Sequence, residues 1–374
     1  MKIFSNFESA SIHVVSADDP KNIQLTIPAD NQTDTAQWFH FRLESEPSLQ
    51  HEFTISGLAN SAYPEGWTDY DVVASYDREE WFRIPAKFDG DSLTFAAEPE
   101  YRSMYFAYFA PYSYDRHQDL LHTAQAHSQC RLDTLGSTLD GNDMSLLTIG
   151  EPCESKKKIW VIGRQHPGET MAEWFIEGFL QRLLDDTDTV GRSILDKATF
   201  YVVPNMNPDG SIRGHLRHNA MGVNLNREWQ TPSMERSPEV FLVREKMLET
   251  GVDMFLDIHG DEAIPYNFVA GSEGIPSYDE RLADLENTFK QALLTITPEF
   301  QDEIGYDKDE PGKANLTVGS NWVGEQFKCL SYTVEMPFKD HISCADSRYG
   351  WSPERSVNFG HDTLAAVYAT VDKL

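Results

Sequence analysis

The sequence lacks the features of a membrane protein and of a disulfide-stabilised protein. It contains no run of about 18 apolar residues, so no membrane-spanning helix is expected. Its first ten residues hold one lysine and no apolar segment, so we expect no signal peptide. Only four cysteines occur in 374 residues, none of them in a Cys-x-x-Cys pair. This pattern excludes a disulfide framework and predicts reduced thiols in a cytoplasmic protein.

Basic residues are also scarce. The chain has 31 Lys and Arg against 60 Asp and Glu, a formal net charge of −29. Binding to nucleic acid or to an anionic membrane surface requires a positive field, so neither partner is expected. With 40% hydrophobic and 24% charged residues, the composition is that of an ordinary globular protein and excludes wholesale disorder.

The first part of the chain has the pattern of an all-β domain. Short apolar runs recur, and polar and apolar side chains alternate over residues 37–43. Turn-forming residues such as Asp18-Asp19-Pro20 and Pro64-Glu65-Gly66 separate the runs. We predict an antiparallel β-sandwich over residues 1–112. It contains no cluster of His, Cys or acidic residues, so we interpret it as a packing or specificity domain.

The pattern changes after residue 112, where strands and helices alternate. Residues 159–162 form a buried strand that leads into an amphipathic helix over about 169–185, and a helix capped by Asp115 precedes them. This alternation predicts an α/β domain over residues 113–374. Ligands of α/β sheets bind at the carboxyl ends of the strands, so polar residues that follow strands are the candidates for function.

Three such residues predict a metal site. His166 and Glu169 follow the first of these strands, at the mouth of a helix, and His259 ends another strand. Two His and one Glu, with the fourth position left to water, form the ligand set of a hydrolytic zinc site. His-x-x-Glu alone is a weak signal, because a chain with 12 His matches it by chance. A loop His beside a Glu that stabilises the helix dipole is the alternative.

Four other residues are candidates for function. Arg227, next to Asn226, can bind a carboxylate through two hydrogen bonds, although a surface turn would give the same pair. Glu335 ends an apolar strand, where an acid is unusual unless it is paired or functional. Taken alone, Arg217 is interpreted as a solvated surface charge.

Five motifs together resemble a known family. In chain order they are His166-Pro167-Gly168-Glu169, Asn207-Pro208-Asp209-Gly210, Asn226-Arg227, Asp257-Ile258-His259 and Tyr332-Thr333-Val334-Glu335. In this order they resemble the zinc carboxypeptidase (M14) family. Residues 108–114, Tyr-Phe-Ala-Pro-Tyr-Ser-Tyr, are similar to a signature of its cytosolic carboxypeptidase branch, here of bacterial type.

The resemblance implies a fold and a metal site. The catalytic domain would be an α/β/α sandwich around a mixed sheet, preceded by the antiparallel β-sandwich. One Zn²⁺ per chain would be bound by His166, Glu169 and His259.

The resemblance also implies roles for the remaining candidates. Glu335 would be the general base and later the acid that protonates the leaving amine. Arg217 would polarise the scissile carbonyl and stabilise the oxyanion. Asn226 and Arg227 would hold the terminal carboxylate of the substrate.

These expectations describe a metallocarboxypeptidase that acts on the C-terminus of a peptide or protein. An N-acyl-amino-acid deacylase of the same superfamily would need the same metal, base and carboxylate contacts, so the sequence leaves it open. A metal-free binding module is disfavoured, because all three ligands and the base are present together.

Three departures from the family pattern bear on the site. Asn224 stands where many members have Asp as the acceptor for a zinc-bound imidazole. The digestive enzymes of the family have a mobile Tyr some twenty residues before the base. The corresponding residues 308–318 contain no Tyr here, and Tyr306 is only a loose candidate. The eukaryotic members that remove glutamate carry an Arg near the specificity pocket, in a glycine-rich segment that corresponds to residues 318–321. This chain has no Arg there, so specificity for a Glu side chain is not supported unless Lys313 takes the place of that Arg.

Few cations lie near the motifs. They are Arg164, Arg213, Arg217, Arg227 and Lys313. We therefore predict that the protein is not a dedicated trimmer of polyglutamate chains.

Overall fold

The computed structural model describes all 374 residues. Residues 2–107 form ten short strands in two five-stranded sheets. The strands are β1 (Lys2–Phe4), β2 (His13–Ser16), β3 (Ile23–Thr26), β4 (His40–Glu44), β5 (His51–Ile55), β6 (Val72–Ser75), β7 (Phe82–Ile84), β8 (Ala86–Phe88), β9 (Leu93–Ala97) and β10 (Ser103–Ala107). The sheet orders are β1-β4-β10-β6-β7 and β2-β3-β5-β9-β8. Every pair is antiparallel except β3 and β5.

Aromatic side chains fill the space between these sheets. The rings of Phe53 and Phe95 stack with centroids 4.7 Å apart, and Phe106 lies 5.2 Å from Phe53. Alternation along residues 37–43 correctly marks a buried segment, but β4 begins only at residue 40. Before it, the Gln37 side chain bonds the backbone of Tyr63.

The rest of the chain forms a seven-stranded mixed sheet with eight helices. Its strands are β11 (Cys130–Ser137), β12 (Asp143–Ile149), β13 (Lys157–Gly163), β14 (Ala198–Val203), β15 (Met254–Asp261), β16 (Phe268–Ala270) and β17 (Leu330–Pro337). The order is β11-β12-β14-β13-β15-β17-β16. The four central strands are parallel, and the outer strands pair antiparallel.

The helices cover both faces of this sheet. They are α1 (Tyr114–Gln125), α2 (Met171–Leu183), α3 (Thr189–Leu195), α4 (Pro208–Arg213), α5 (Pro238–Thr250), α6 (Glu280–Ile296), α7 (Gly319–Phe327) and α8 (Pro353–Thr370). Along β13, Ile159 and Val161 pack in one apolar cluster with α2, α6 and α8, whereas Trp160 and Ile162 pack in another with α5 and α7. The expected α/β/α sandwich follows from this alternation.

Ser113, not the predicted Asp115, caps α1. The Ser113 hydroxyl oxygen accepts the hydrogen bond from the backbone N–H of Arg116. Asp115 instead occupies the first turn, where a negative charge stabilises the helix dipole. No helix is both long enough and apolar enough to span a bilayer.

The two parts of the chain share one apolar core. The ring of Tyr108, just after β10, stacks on Phe338 with centroids 4.8 Å apart. The buried Arg83 guanidinium donates to the backbone carbonyls of Phe338 and Trp351, at 2.8 and 3.1 Å. These contacts fix the β-sandwich against the carboxyl edge of the large sheet.

Candidate metal centre and active site

The parallel strands bring the candidate residues to one edge of the large sheet. The loop that follows β13 carries His166 and Glu169, and His259 lies near the end of β15. Glu335 lies in the same position on β17, because the strand register pairs it with His259. Neighbouring parallel strands therefore place residues from distant parts of the chain side by side.

His166, Glu169 and His259 form one buried cluster. Their exposed fractions are 4%, 3% and 1%. Nδ1 of His166 lies 2.7 Å from Oε1 of Glu169, and Nδ1 of His259 lies 2.7 Å from Oε2. The three ligand atoms lie within 4.8 Å of one another, close enough for one metal ion to be held by all three.

Each imidazole has an oxygen close to its outer side. Nε2 of His166 lies 3.1 Å from Oδ1 of Asn224, and Nε2 of His259 lies 3.0 Å from Oδ1 of Asp257. With a metal in place of the proton at the shared centre, each imidazole would bind it through Nδ1 and keep its proton on Nε2, next to these oxygens. A metal-binding His is usually oriented in this way, and the donor set fits a zinc ion.

A further hydrogen-bond chain fixes Asp257. Its Oδ2 accepts from Nε2 of Gln165 at 2.6 Å, and Oε1 of Gln165 accepts from Nε1 of Trp229 at 2.8 Å. Asn224 was expected from the sequence to face a zinc-bound imidazole, whereas Asp257 was not. The signal was present, because Asp257 lies two residues before His259 and therefore on the same face of a strand.

The surroundings shift the pKa values of the two imidazoles in opposite directions. Burial, with the nearby Arg217, lowers the pKa of His166 to about 3, so this imidazole is neutral and able to bind a metal. Burial opposes the charged form of His259, but the Asp257 and Glu169 carboxylates raise its pKa. Burial also opposes ionisation of Glu169, yet the two imidazoles hold its pKa below the usual range. A metal would compete with a proton mainly at His259.

Glu335 has an oxygen with no partner. The residue is 5% exposed and lines the cavity beside the metal cluster. Its Oε1 lies 3.1 Å from the Tyr306 hydroxyl, whereas its buried Oε2 makes no hydrogen bond. Burial and the nearby Glu169 raise the pKa of Glu335. A buried carboxylate oxygen without a partner is costly and is available to a ligand.

Two other residues of this edge were less apparent from the sequence. The Tyr306 hydroxyl also lies 2.7 Å from Oδ2 of Asp261, so the distant candidate for a mobile Tyr reaches the site from a loop. Glu262 is 4% exposed, and its Oε1 has no partner either. Burial and Glu169 raise the pKa of Glu262.

Arg217, Asn226 and Arg227 line the same cavity, which has a volume of about 860 Å³. No carboxylate lies within ion-pair distance of either arginine: Arg217 stacks on Tyr63 with its guanidinium carbon 5.6 Å from the ring centroid, and Arg227 donates to the carbonyl of Asn226 at 2.6 Å. Oδ1 of Asn226 accepts from the backbone N–H of Gly319 at 2.8 Å. Two guanidinium groups without an ion-pair partner leave a place for an anionic group of a ligand.

The other predicted cations lie away from the cavity. Arg164 is buried in an ion pair with Glu173 at 2.6 Å, Arg213 pairs with Asp140 at 2.8 Å, and Lys313 is exposed outside the cavity wall.

The cavity wall holds two lysines that the sequence did not single out, Lys290 and Lys308. Lys308 is paired with Glu273 at 2.7 Å. Acidic residues outnumber the cations along this wall. They are Glu65, Glu169, Asp261, Glu262, Glu273, Asp302, Glu303, Asp307, Asp309 and Glu335.

The β-sandwich also contributes to the cavity. Tyr63 and Glu65, from the segment between β5 and β6, lie in its wall. Residue 66 is a glycine that lies against Glu262, where a Cβ would be 3.0 Å from the Glu262 Cβ. We had found no chemistry-bearing cluster in this domain, and no local pattern reveals contacts to residues about 150–200 positions away.

Comparison with known proteins points in one direction. A family model described as zinc carboxypeptidase matches residues 117–357, and one described as cytosolic carboxypeptidase N-terminal domain matches residues 3–109. Cytosolic carboxypeptidase 2 of Xenopus tropicalis is 31% identical over 309 residues, which cover 73% of this chain and 32% of that protein. The chain therefore spans about a third of the length of that relative.

Two solved structures match along the whole chain. The metallo-carboxypeptidase of Burkholderia cenocepacia is 48% identical, with a TM-score of 0.97 and 100% of both chains covered. The metallo-carboxypeptidase of Pseudomonas aeruginosa, in complex with (2-guanidinoethylmercapto)succinic acid, is 46% identical, with a TM-score of 0.97 and the same coverage.

Proposed function

The chain belongs to the zinc carboxypeptidase family, and from that premise we propose that it is a zinc-dependent enzyme that hydrolyses the C-terminal peptide bond of peptides or proteins, with water as the nucleophile. One observation carries the proposal. A three-ligand cluster, a buried acid with a free oxygen and two unpaired arginines all line one cavity. A carboxypeptidase needs these groups together, since it must bind a terminal carboxylate beside the bond that it cleaves.

We assign one Zn²⁺ per chain to His166, Glu169 and His259. When bound, zinc supplies Lewis-acid chemistry, which polarises a carbonyl and lowers the pKa of a water molecule. The observation in favour is the donor set itself, in which both imidazoles present Nδ1 to Glu169 and have an oxygen of Asn224 or Asp257 about 3 Å from Nε2.

Glu335 moves the proton in this proposal. The ionised form of Glu335, which a bound Zn²⁺ would favour, takes the proton from the attacking water on its free Oε2 and later returns it to the nitrogen of the leaving amine. The Tyr306 hydroxyl lies 3.1 Å from the other oxygen, so Oε2 is the oxygen left free for this role. Positioned proton transfer of this kind typically contributes about 10²–10⁴-fold in rate.

In this proposal, the two arginines bind different negatively charged groups. Arg217 stabilises the charge that develops on the carbonyl oxygen, and Arg227 with Asn226 binds the terminal carboxylate. The complex of the Pseudomonas aeruginosa relative contains a succinic acid derivative, so that relative accepts a ligand with carboxylates. Residues 1–112 serve as the N-terminal β-sandwich domain and 113–374 as the catalytic domain.

The test combines metal analysis with substrate turnover. Purified protein should contain about one zinc and should release the last amino acid from short peptides. Turnover of N-acyl-amino-acids with inert peptides would instead identify a deacylase, and absence of both zinc and turnover would leave a binding module.

Glu335→Gln provides the decisive variant. It should retain zinc and the fold while kcat falls about 10²–10⁴-fold, because an amide cannot accept the proton. Glu303→Gln makes the same change at an exposed residue of the cavity wall and should leave kcat unchanged. Near-normal kcat for Glu335→Gln would move the base to another group, of which Glu262 is the first to test.

A further inference from the structure

The loop that carries Arg217 is held by a carboxylate from the other domain. Asp30 belongs to the β-sandwich and is 5% exposed. Its Oδ1 accepts from the backbone N–H of Leu216 at 2.7 Å. Its Oδ2 accepts from the N–H groups of Arg217 at 2.8 Å and His218 at 3.0 Å. Three consecutive N–H groups therefore converge on one side chain, in the manner of an anion-binding nest.

The same loop contacts the metal-binding loop on its other side. The carbonyl of Leu216 accepts from the N–H of Gly168, which directly precedes the ligand Glu169, at 2.8 Å. A Cβ on Gly168 would lie 2.9 Å from the Leu216 Cα. Leu216 thus lies between Asp30 and the metal-binding loop, and its peptide groups bond both.

Other contacts from the β-sandwich surround this anchor. The backbone N–H of Asn31 donates to Nε2 of His215 at 3.2 Å, and Nδ2 of Asn31 donates to the carbonyl of Ala220 at 2.7 Å. Gly222 has a positive φ of 75°, and a Cβ there would lie 2.6 Å from the carbonyl oxygen of Asn31. The loop therefore packs closely against residues 30–31 and is hydrogen-bonded to them at several points.

We infer that Asp30 is a positioning residue for Arg217, so that the β-sandwich completes the oxyanion-stabilising part of the active site. This inference depends on the function proposed above. Asp30 fixes the backbone of Arg217, while Tyr63 of the same domain holds the guanidinium against its ring. Electrostatic stabilisation of a transition state requires donors that are in place before the reaction, and a shift of about 1 Å can cost about 10²-fold in rate.

Asp30→Asn is the informative substitution because it keeps the size of the side chain. One of the two acceptor oxygens becomes an NH₂ group, which would face an N–H group and repel it. We expect kcat to fall about 10–100-fold, KM to change less than about threefold and zinc content to stay the same. Glu80→Gln is the matched control, since Glu80 also bonds the other domain, through Arg348 and Tyr349, away from this loop.

A double-mutant cycle separates positioning from general destabilisation. The substrate is the peptide that the wild type turns over fastest among short peptides varied at the last residue. If Asp30 acts through Arg217, then Asp30→Asn should lower kcat less than about threefold further in an Arg217→Ala background. An additive loss would overturn the inference and leave the proposed function intact. An unchanged kcat for Arg217→Ala alone would instead refute the assigned role of Arg217.

Hydrogen exchange gives a readout that is independent of turnover. The backbone N–H groups of Leu216, Arg217 and His218 should exchange at least about tenfold faster in Asp30→Asn and at the wild-type rate in Glu80→Gln. Unchanged exchange in Asp30→Asn would refute the anchoring. If this variant does not fold, Asn31→Ala removes the neighbouring anchor. It should give faster exchange at the same loop and a kcat lowered about threefold or more, and wild-type values would refute the inference.

Discussion

Replacing Asn224 with aspartate should tighten zinc binding, because this side chain is the outer acceptor of His166. The Nε2 to Oδ1 distance of 3.1 Å is that of a hydrogen bond between neutral groups, for which the net free energy is about 1 kcal/mol. A charged acceptor contributes about 1.5–3 kcal/mol. A gain of about 1 kcal/mol corresponds to a roughly fivefold lower Kd for zinc. Asp can also keep the second bond of this side chain, which accepts the N–H of Asn226 at 3.0 Å.

A graded series makes this prediction quantitative. Asn224→Ala removes the acceptor and should weaken zinc binding about 10–100-fold, the usual loss for such partners. Asp257→Asn is the matched change at the other imidazole and should weaken binding, since it replaces a charged acceptor with a neutral one. Kd values would be measured by competition with a chelator at one fixed pH. Equal or weaker binding by Asn224→Asp than by the wild type would refute the argument that Nε2 of His166 donates to residue 224.

Three further predictions concern catalysis, specificity and stability. Arg227→Ala should mainly raise KM and Arg217→Ala should mainly lower kcat, because only the second contacts charge that develops in the transition state; steady-state kinetics that change in the same way for both variants would contradict the division of roles. At fixed salt, kcat/KM for peptides ending in Glu should be no more than about tenfold above kcat/KM for peptides ending in Ala, Leu or Lys, because acidic residues outnumber Lys290 and Lys308 along the cavity wall. If the enzyme prefers Glu by more than this, Lys290→Ala would test whether Lys290 is the cause. Glu239→Gln should raise Tm at about pH 9 and change it little at about pH 4. Burial raises the pKa of Glu239 to about 8, so the folded state loses stability as the pH rises from the unfolded value near 4.3 through 8, by a few kcal/mol. An equal Tm gain at both pH values would show that the charge of Glu239 is not the cause.

The parts of the site that could be predicted from the sequence are those on regular elements. His259 and Glu335 lie near the ends of hydrophobic strands, and the parallel pairing of such strands brings these residues side by side. Asp257 could have been added by the same reasoning, as it shares a face with His259.

The contributions that could not be predicted come from irregular segments of another domain or of a long loop. Asp30 meets Arg217 across 187 residues, and Tyr63 reaches the same arginine from between two strands. Tyr306 lies 29 residues before Glu335, in a segment without helix or strand. Periodicity says nothing about such contacts, because they depend on how two folded layers pack and not on the pattern within either one.

The apolar core that runs through both parts of the chain has a consequence for cooperativity. One cluster of 66 buried residues includes Phe53 of the β-sandwich, Phe175 of α2 and Phe338 after β17. Separate domains normally meet through a smaller and more polar surface, and each can then unfold by itself. Here a cut near residue 112 would expose Tyr108 and Phe338 to water on both fragments. We therefore expect the chain to unfold in one cooperative transition, with no separate step for residues 1–112.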